Sequence, residues 1–341
     1  MNTEIKENYT LQSLTTFKIG GPAEYFAVAQ SEEELVLLIS EAKKNNWPIT
    51  ILGGGSNVLI ADEGLKGLVI MMAIGGVEYL STSRDLKVTA GAGVEWDTLV
   101  SDTVAKNFWG LENLSAIPGL VGATPIQNVG AYGVEVADLI EEVKVYDKEK
   151  EEFKVLNNTE CKFSYRNSIF KSDEGKDFIV TSVTYKLSET PQPKLSYRDL
   201  ALKYSDATED LTVSDIRQSV IDIRSAKFPN WKEVGTAGSF FKNPIVTGEH
   251  FAELQAKYEG IPGFPQGEEV KVPLGWILDK VCHLRGYTEG NVSTYNNQAL
   301  VIINKGDATY SEVESFADTI AEKVFAETKI KVEWEVTSLK N

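Results

Sequence analysis

Histidine and cysteine are nearly absent from this 341-residue chain: there are two of each, His250, His283, Cys161 and Cys282. None of the four stands in a metal-ligand spacing, so a zinc cluster lacks ligands and no metal is expected. Ser-His and Cys-His catalysis fit poorly for the same reason, and proton transfer must rest on Glu, Asp, Lys, Tyr, Ser or a cofactor. Long apolar runs are missing as well. The longest, residues 68–74, is too short to span a bilayer, and residues 1–12 (MNTEIKENYTLQ) lack the basic-then-apolar order of a signal peptide. The expectation is a soluble, cytoplasmic protein. Bases are scarce relative to acids, 34 against 50, which gives a net charge of −16. That field repels phosphate backbones and anionic membranes, so neither nucleic acid nor membrane is an expected partner. No G-x-x-x-x-G-K-[ST] occurs, which excludes a P-loop.

What is present reads as a folded α/β chain. Hydrophobic residues make up 42% and charged residues 25%, ordinary for a globular protein, and at roughly 150 residues per domain the length suggests about two domains. Residues 23–29 are strand-like. Ser31 to Glu34 form a capping box before a helix with Leu35, Leu38, Ile39 and Ala42 on one face. Strands are expected at 48–52, 86–90, 178–187 and 299–303, a hairpin at 143–146 and 153–156, and helices at 96–108 and 274–284. Ser214 is expected to cap a helix carrying Ile216, Val220 and Ile223. Ser311 to Glu314 read as a second capping box, before a helix with Val313, Phe316, Ala317, Ile320 and Val324 inward. Residues 330–336 alternate like a strand with one apolar face. Residues 190–210, with Pro191 and Pro193, are the expected linker.

Three places could carry chemistry. The first is Gly53-Gly54-Gly55-Ser56-Asn57, directly after a strand. It is not a dinucleotide fingerprint, since no G-x-G-x-x-G occurs there; it is either a tight turn or an anion cradle of backbone N–H groups. The second is residues 113–133, a glycine-rich apolar stretch without period, and loops of about that length inside a domain are usually functional. The third is Ser239 within GTAGSFFKNP (235–244). Its hydroxyl either bonds its own turn or, in a water-excluded pocket, donates a proton to something strongly basic. Arg166 reads as a structural ion pair or an anion holder, and Glu335 falls by alternation in a solvent-facing row with Lys331 and Glu333.

Taken together the motifs resemble one family. Ile117-Pro118-Gly119, Val121-Gly122, PIQNVGAYGVE (125–135), YRNSIF (165–170) and GSFFKNP (238–244) are similar, in this order within residues 11–337, to the UDP-N-acetylenolpyruvoylglucosamine reductases. These are flavoenzymes of cell-wall precursor synthesis. GAYG (130–133) is similar to the longer subclass, in which a tyrosine loop covers the substrate. The resemblance implies an α+β chain with an FAD-binding fold of the vanillyl-alcohol-oxidase type, followed by an α/β substrate-binding domain at 211–328. The FAD-binding part comprises two α+β subdomains, 1–75 and 76–210, and residues 329–341 return as a strand to the first.

It further implies noncovalent FAD, since neither histidine lies in the matched flavin loops. The matched positions are Gly53, Gly54, Gly55, Ser56 and Asn57, then Ile117, Pro118, Gly122, Ala123, Thr124 and Gly130, and finally Arg224. NADPH is the implied hydride donor. Arg166, Ser239 and Glu335 match the catalytic positions: the first holds the carboxylate, the second protonates the α-carbon, and the third polarises the carboxylate. Tyr197, Lys227 and Asn243 match contacts to the UDP diphosphate and sugar, and Tyr132 and Gln298 are further substrate positions. Near the C-terminus Trp334 stands where the family often has a proline between two glutamates. Partners are small molecules, with no obligate protein partner implied. The rivals are an FAD-dependent oxidase of the same fold and a catalytically silent nucleotide-sugar-binding protein; the intact Arg166 and Ser239 motifs argue against both.

Overall fold

The helix expected after Ser31 forms over Glu32–Lys44 and buries Leu35, Leu38, Ile39 and Ala42, the four apolar positions at helical spacing. Ser31 accepts the Glu34 amide, while the Glu34 carboxylate takes the amide of Gln30 rather than of Ser31. Each fully buried leucine or isoleucine contributes about 1.5–3 kcal/mol, which is why this stripe decides the face. The computed structural model describes residues 4–81, 85–205 and 211–341. It divides the chain into two units, each with its own core.

The first unit comprises Met1–Tyr9, Glu24–Gly54 and Lys66–Arg224. One sheet runs Lys6–Thr10, Pro22–Ala29, Leu65–Met72, Ile49–Leu52 in spatial order, the last two parallel. The other runs Glu152–Asn157, Ile140–Asp147, Phe178–Ser188, Asp85–Gly91, Val77–Ser81, antiparallel throughout. The helix Trp96–Ala105 follows directly from the second sheet.

The second unit gathers Thr10–Ala23 and Gly55–Leu65 with Ser225–Asn341. Its main sheet is Gly235–Ser239, Val301–Asn304, Val292–Thr294, Thr288–Glu289. The segment after the triple glycine, Val58–Ile60, pairs in parallel with Thr337–Leu339. Phe17, Ile19, Leu59 and Ala61 are therefore core residues of this unit.

Several expectations need correction. The chain does not cross between cores near residue 210: helix Val213–Lys227 buries Val213, Ile216 and Val220 in the first core, and the crossing comes after Arg224. The linker contains a short helix, Arg198–Lys203, and its last residues, 206–210, lie outside the described residues. Helix Val213–Lys227 opens at Thr212, which exchanges hydrogen bonds with Asp215, not at Ser214, because Val213 is buried and has to be inside the helix. Likewise Thr309 and Glu312, not Ser311 and Glu314, form the capping box of Tyr310–Thr328, whose first residue is buried. Residues 274–284 are a single α turn, Leu274–Trp276, running into the π turn Ile277–Val281. Residues 330–336 are no regular strand. Ile330 and Val336 are buried and one bridge joins Trp334 to Phe241, so the alternation reflects a chain lying on the core rather than a ladder. Among the described residues no helix is long and apolar enough to cross a membrane.

The cap assignment is testable. Thr309→Ala should cost about 1 kcal/mol of stability, as loss of a side-chain cap does, and Ser311→Ala distinctly less, measured by urea denaturation. The reverse order would return the cap to Ser311.

Candidate active site

The strand Ile49–Leu52 delivers Gly53 and Gly54 against the loop at 114–122. A Cβ on Gly54 would lie 3.0 Å from the Gly119 Cα and 3.5 Å from the Leu120 Cγ, so only glycine fits comfortably; at Gly53 the nearest atoms are 4.0 Å away. Among the described residues no protein acceptor takes the amides of Gly53, Gly54 or Gly55. Spare N–H groups without side chains are what a diphosphate requires of a loop, so these residues fit FAD. Gly55 belongs to the second unit. Its φ is 60° and a Cβ there would lie 1.9 Å from the Leu14 carbonyl oxygen, so no side chain is possible.

The 114–122 loop is laced to residues 92–97. The Trp96 amide donates to the Gly119 carbonyl at 3.0 Å, Val121 to Val94 and Gly122 to Ala92 at 2.9 Å each. The Trp96 indole donates to the Leu114 carbonyl at 2.9 Å. Gly122 is obligatory, since a Cβ there would sit 2.6 Å from that of Ala92. Ile117 and Pro118 are half-buried at the crest and Ala123 is exposed. Thr124 is different: it is buried, its amide bonds the Val121 carbonyl, and its hydroxyl bonds that carbonyl and the Tyr185 hydroxyl. Both of the donors of Thr124, expected at the cofactor, are thus engaged by protein groups.

Arg166 sits in a tight turn in which Ser164 and Asn167 exchange backbone hydrogen bonds. Its φ is 53°, a left-handed conformation rare for a side-chain-bearing residue. The turn is fastened from outside: buried Asn128 donates to the Ser164 carbonyl at 3.1 Å, and Ser168 to the Ile126 carbonyl at 2.6 Å. The guanidinium donates to the Gly130 carbonyl at 3.0 Å, and a Cβ on Gly130 would lie 3.3 Å from it. Arg166 and Gly130 are thus brought together. Tyr132 is 6% exposed and packs edge-on against Tyr197, which is 40% exposed. Burial pushes the Tyr132 phenol up to about 12, and its hydroxyl meets Arg224. Of the two tyrosines, Tyr197 is the one that reaches solvent.

In the second unit, the bulge before Ser239 shifts the register between Thr236 and Ser239, with Gly238 at φ 75°. Thr236 is bonded to the Ile302 carbonyl and Phe240 to the Leu300 carbonyl. Ser239 is pinned by its neighbours, yet among the described residues its hydroxyl has no hydrogen-bond partner, so it does not serve its own turn. Alongside runs the C-terminal segment: the Lys242 amide donates to the Glu333 carbonyl at 2.9 Å and the Glu335 amide to the Phe240 carbonyl at 2.8 Å. Glu335 is half-buried, unlike Lys331 and Glu333, so it leaves the solvent-facing row to which alternation assigned it. Glu335 is thus held beside Phe240, the residue that follows Ser239. Asn57, expected at the cofactor, grips this segment, donating to the Glu335 carbonyl at 3.0 Å and accepting the Thr337 amide at 2.9 Å. Ser56 stands beside it, half-buried. Asn243 accepts the Leu274 amide at 2.9 Å, and a Cβ on Gly275 would lie 2.8 Å from the Gln298 amide oxygen. Lys227 is half-buried at the end of its helix.

Sequence reasoning missed Asp97, Arg217 and Glu112. Asp97 takes two hydrogen bonds from Arg217 and one from the Ala116 amide. Glu112 is 1% exposed and accepts the Gly110 amide at 2.6 Å, and burial pushes its carboxyl above the usual range. The available signal, an acid in the first turn of a helix right after a glycine loop, is too common to single out Asp97. Among the described residues no three His, Cys, Asp or Glu side chains are grouped to hold a metal ion.

Comparison with known proteins matches both units. Residues 23–155 match the family model of an FAD binding domain, and residues 229–339 that of the UDP-N-acetylenolpyruvoylglucosamine reductase C-terminal domain. The UDP-N-acetylenolpyruvoylglucosamine reductase of Flavobacterium johnsoniae is 39% identical over 98% of this chain and 99% of its own length. That of Neisseria gonorrhoeae is 36% identical over 96% and 95%. The crystal structure of the UDP-N-acetylenolpyruvylglucosamine reductase from Thermus caldophilus shares the fold over 100% of both chains, with a TM-score of 0.68 at 24% identity. An FAD-binding fold followed by this C-terminal domain, with such relatives over almost the whole length, places the chain in the UDP-N-acetylenolpyruvoylglucosamine reductase family.

Proposed function

We propose that the protein reduces UDP-N-acetylenolpyruvoylglucosamine to UDP-N-acetylmuramate in the cytoplasm, with noncovalently held FAD and NADPH and with no obligate protein partner. The observation that carries this reading is the Ser239 hydroxyl, held by a pinned backbone and without a hydrogen-bond partner among the described residues. When bound, FAD supplies the hydride chemistry that links NADPH to the enolpyruvyl β-carbon. The chain's own residues do the complementary work. Negative charge that builds on the substrate's α-carbon and carboxylate has to be held and then quenched by a proton.

Arg166 suits the first part, because a guanidinium can grip a carboxylate with two parallel hydrogen bonds as charge grows. Its left-handed backbone, maintained by Asn128 and Ser168, is strain of the kind that clusters at functional positions. Ser239 suits the second. A hydroxyl is a weak acid, but an aci-carboxylate is basic enough to take its proton at carbon. Glu335, fixed through its backbone to Phe240 and Asn57, would polarise the same carboxylate. Tyr197, Lys227 and Asn243 would take the UDP diphosphate and sugar, with Tyr132 and Gln298 behind them. In this reading the FAD-binding part keeps two subdomains, followed by the substrate domain.

The roles separate in the two half-reactions, each followed by stopped-flow flavin absorbance. Gly54→Val should weaken FAD binding about tenfold or more, as a β-branched side chain meets Gly119; unchanged affinity in a titration would make the loop only a turn. Arg166→Lys keeps charge but loses the planar fork. It should slow reoxidation by the sugar nucleotide far more than reduction by NADPH, and equal effects on both would mark Arg166 as structural. Ser239→Ala should be reduced by NADPH at near-normal rate and then be reoxidised by the sugar nucleotide some 10² to 10⁴ times more slowly. Ser239→Cys should recover part of that rate. Normal reoxidation of Ser239→Ala would remove the serine from the mechanism.

A further inference from the structure

Asp97 and Arg217 meet at the loop that approaches Gly54. Asp97 lies in the first turn of helix Trp96–Ala105 and Arg217 in helix Val213–Lys227. The Arg217 guanidinium donates to both carboxylate oxygens, at 2.7 and 2.9 Å, a bidentate fork, and its side chain is only 14% exposed. The carboxylate takes a third hydrogen bond, 2.6 Å long, from the Ala116 amide. Ala116 has φ 57°, a left-handed conformation that a Cβ disfavours. Its carbonyl is held too, by Arg224 Nε at 3.2 Å. Arg224 follows Arg217 by seven residues, two helical turns, and so shares its face. The Ala116 residue is thereby gripped at its amide from one helix and at its carbonyl from the other.

The neighbouring lacing does not do this. Trp96 holds the carbonyls of Leu114 and Gly119, on either side, and Asp97 takes hold between them at Ala116, directly before Ile117 and Pro118. Burial by itself would raise the Asp97 carboxyl, but the Arg217 hydrogen bonds and the Ala116 amide outweigh it and hold the group below the usual carboxylate range. The clamp is therefore ionised at neutral pH.

We propose that Asp97 and Arg217 are positioning residues for the cofactor: by holding Ala116 left-handed they set residues 117–119 against Gly54 in the geometry that receives FAD. This rests on the reading of 53–54 and 117–119 as the place of the FAD diphosphate. The two helices that supply the clamp are distant in sequence, so the cofactor loop is coupled to the packing of helix Val213–Lys227 on the first core. Loosening that helix loosens FAD.

The test is an FAD titration of purified apoprotein variants, followed by flavin fluorescence, with thermal melting alongside. Asp97→Ala should raise the FAD dissociation constant about tenfold, or 1.4 kcal/mol. Adding Ala116→Gly to that variant should recover most of the loss, because glycine adopts positive φ without a Cβ penalty. A merely structural ion pair predicts otherwise: a lower melting temperature, an unchanged FAD dissociation constant in the folded protein, and no recovery by glycine. That result overturns the proposal. If Asp97→Ala does not fold, Arg217→Gln serves, since it leaves the Ala116 bond to Asp97 and removes the fork; a dissociation constant raised about threefold or more supports the proposal, and an unchanged one overturns it. Gly54→Val measured in parallel separates the two readings. If it weakens FAD while the clamp variants do not, the positioning role alone fails. If neither matters, the FAD reading of the loop fails and the clamp's role falls with it.

Discussion

A side chain on Gly54 would crowd Gly119, with its Cβ 3.0 Å from the Gly119 Cα, and much of the hydrogen bonding around this point serves to hold that close approach. Two backbones stay this close only if each is held from behind. On one side the parallel pairing of Ile49–Leu52 with Leu65–Met72 fixes the strand that ends at Gly53. On the other, the 114–122 loop has too little regular structure to hold itself. Its amides and carbonyls are taken up by residues 92–97, by the indole of Trp96 and by the carboxylate of Asp97. Polar groups left unpaired in a partly buried segment would cost about 1–3 kcal/mol each, and these bonds avoid that cost for the groups they engage.

The second unit solves a related problem with different material. Ser239 and Glu335 lie on segments almost a hundred residues apart, and neither is in a long helix or a wide sheet. The bulge at 236–239 is braced by hydrogen bonds to Leu300 and Ile302, and the C-terminal run is tied to Phe240, Lys242 and Asn57. Rings add to the ties, with Phe240 packed edge-on against both Phe241 and Trp334. Asn57 is notable because its side chain and its carbonyl both hold the C-terminal run. A residue proposed at the cofactor thus also anchors the segment that carries Glu335.

Much of this was legible from sequence where a period carries it. The stripes Leu35-Leu38-Ile39-Ala42 and Val313-Phe316-Ala317-Ile320-Val324 point to their cores as spacing predicts. Helix starts were less legible, since Thr309-x-x-Glu312 and Ser311-x-x-Glu314 are overlapping frames with the same chemistry, and only the burial of Tyr310 chooses between them. Long-range membership was not legible at all. That residues 10–23 and 55–65 join the C-terminal core depends on pairings such as Val58–Ile60 with Thr337–Leu339, which leave no periodic trace. Of the residues proposed for the site, Gly54, Arg166 and Ser239 stand in ordered motifs. Asp97 and Arg217 did not, because a single acid and a single base 120 residues apart look like any solvated pair until the fold closes.

The central claim is that this chain reduces an enolpyruvyl sugar nucleotide, and anaerobic mixing tests it most directly. Protein first reduced to completion with one equivalent of NADPH is mixed without oxygen with UDP-N-acetylenolpyruvoylglucosamine while the flavin absorbance is followed. The account predicts that the yellow oxidised flavin returns within a turnover and that UDP-N-acetylmuramate forms in equal amount. Flavin that stays reduced with the sugar nucleotide and is reoxidised only when oxygen is admitted would contradict it.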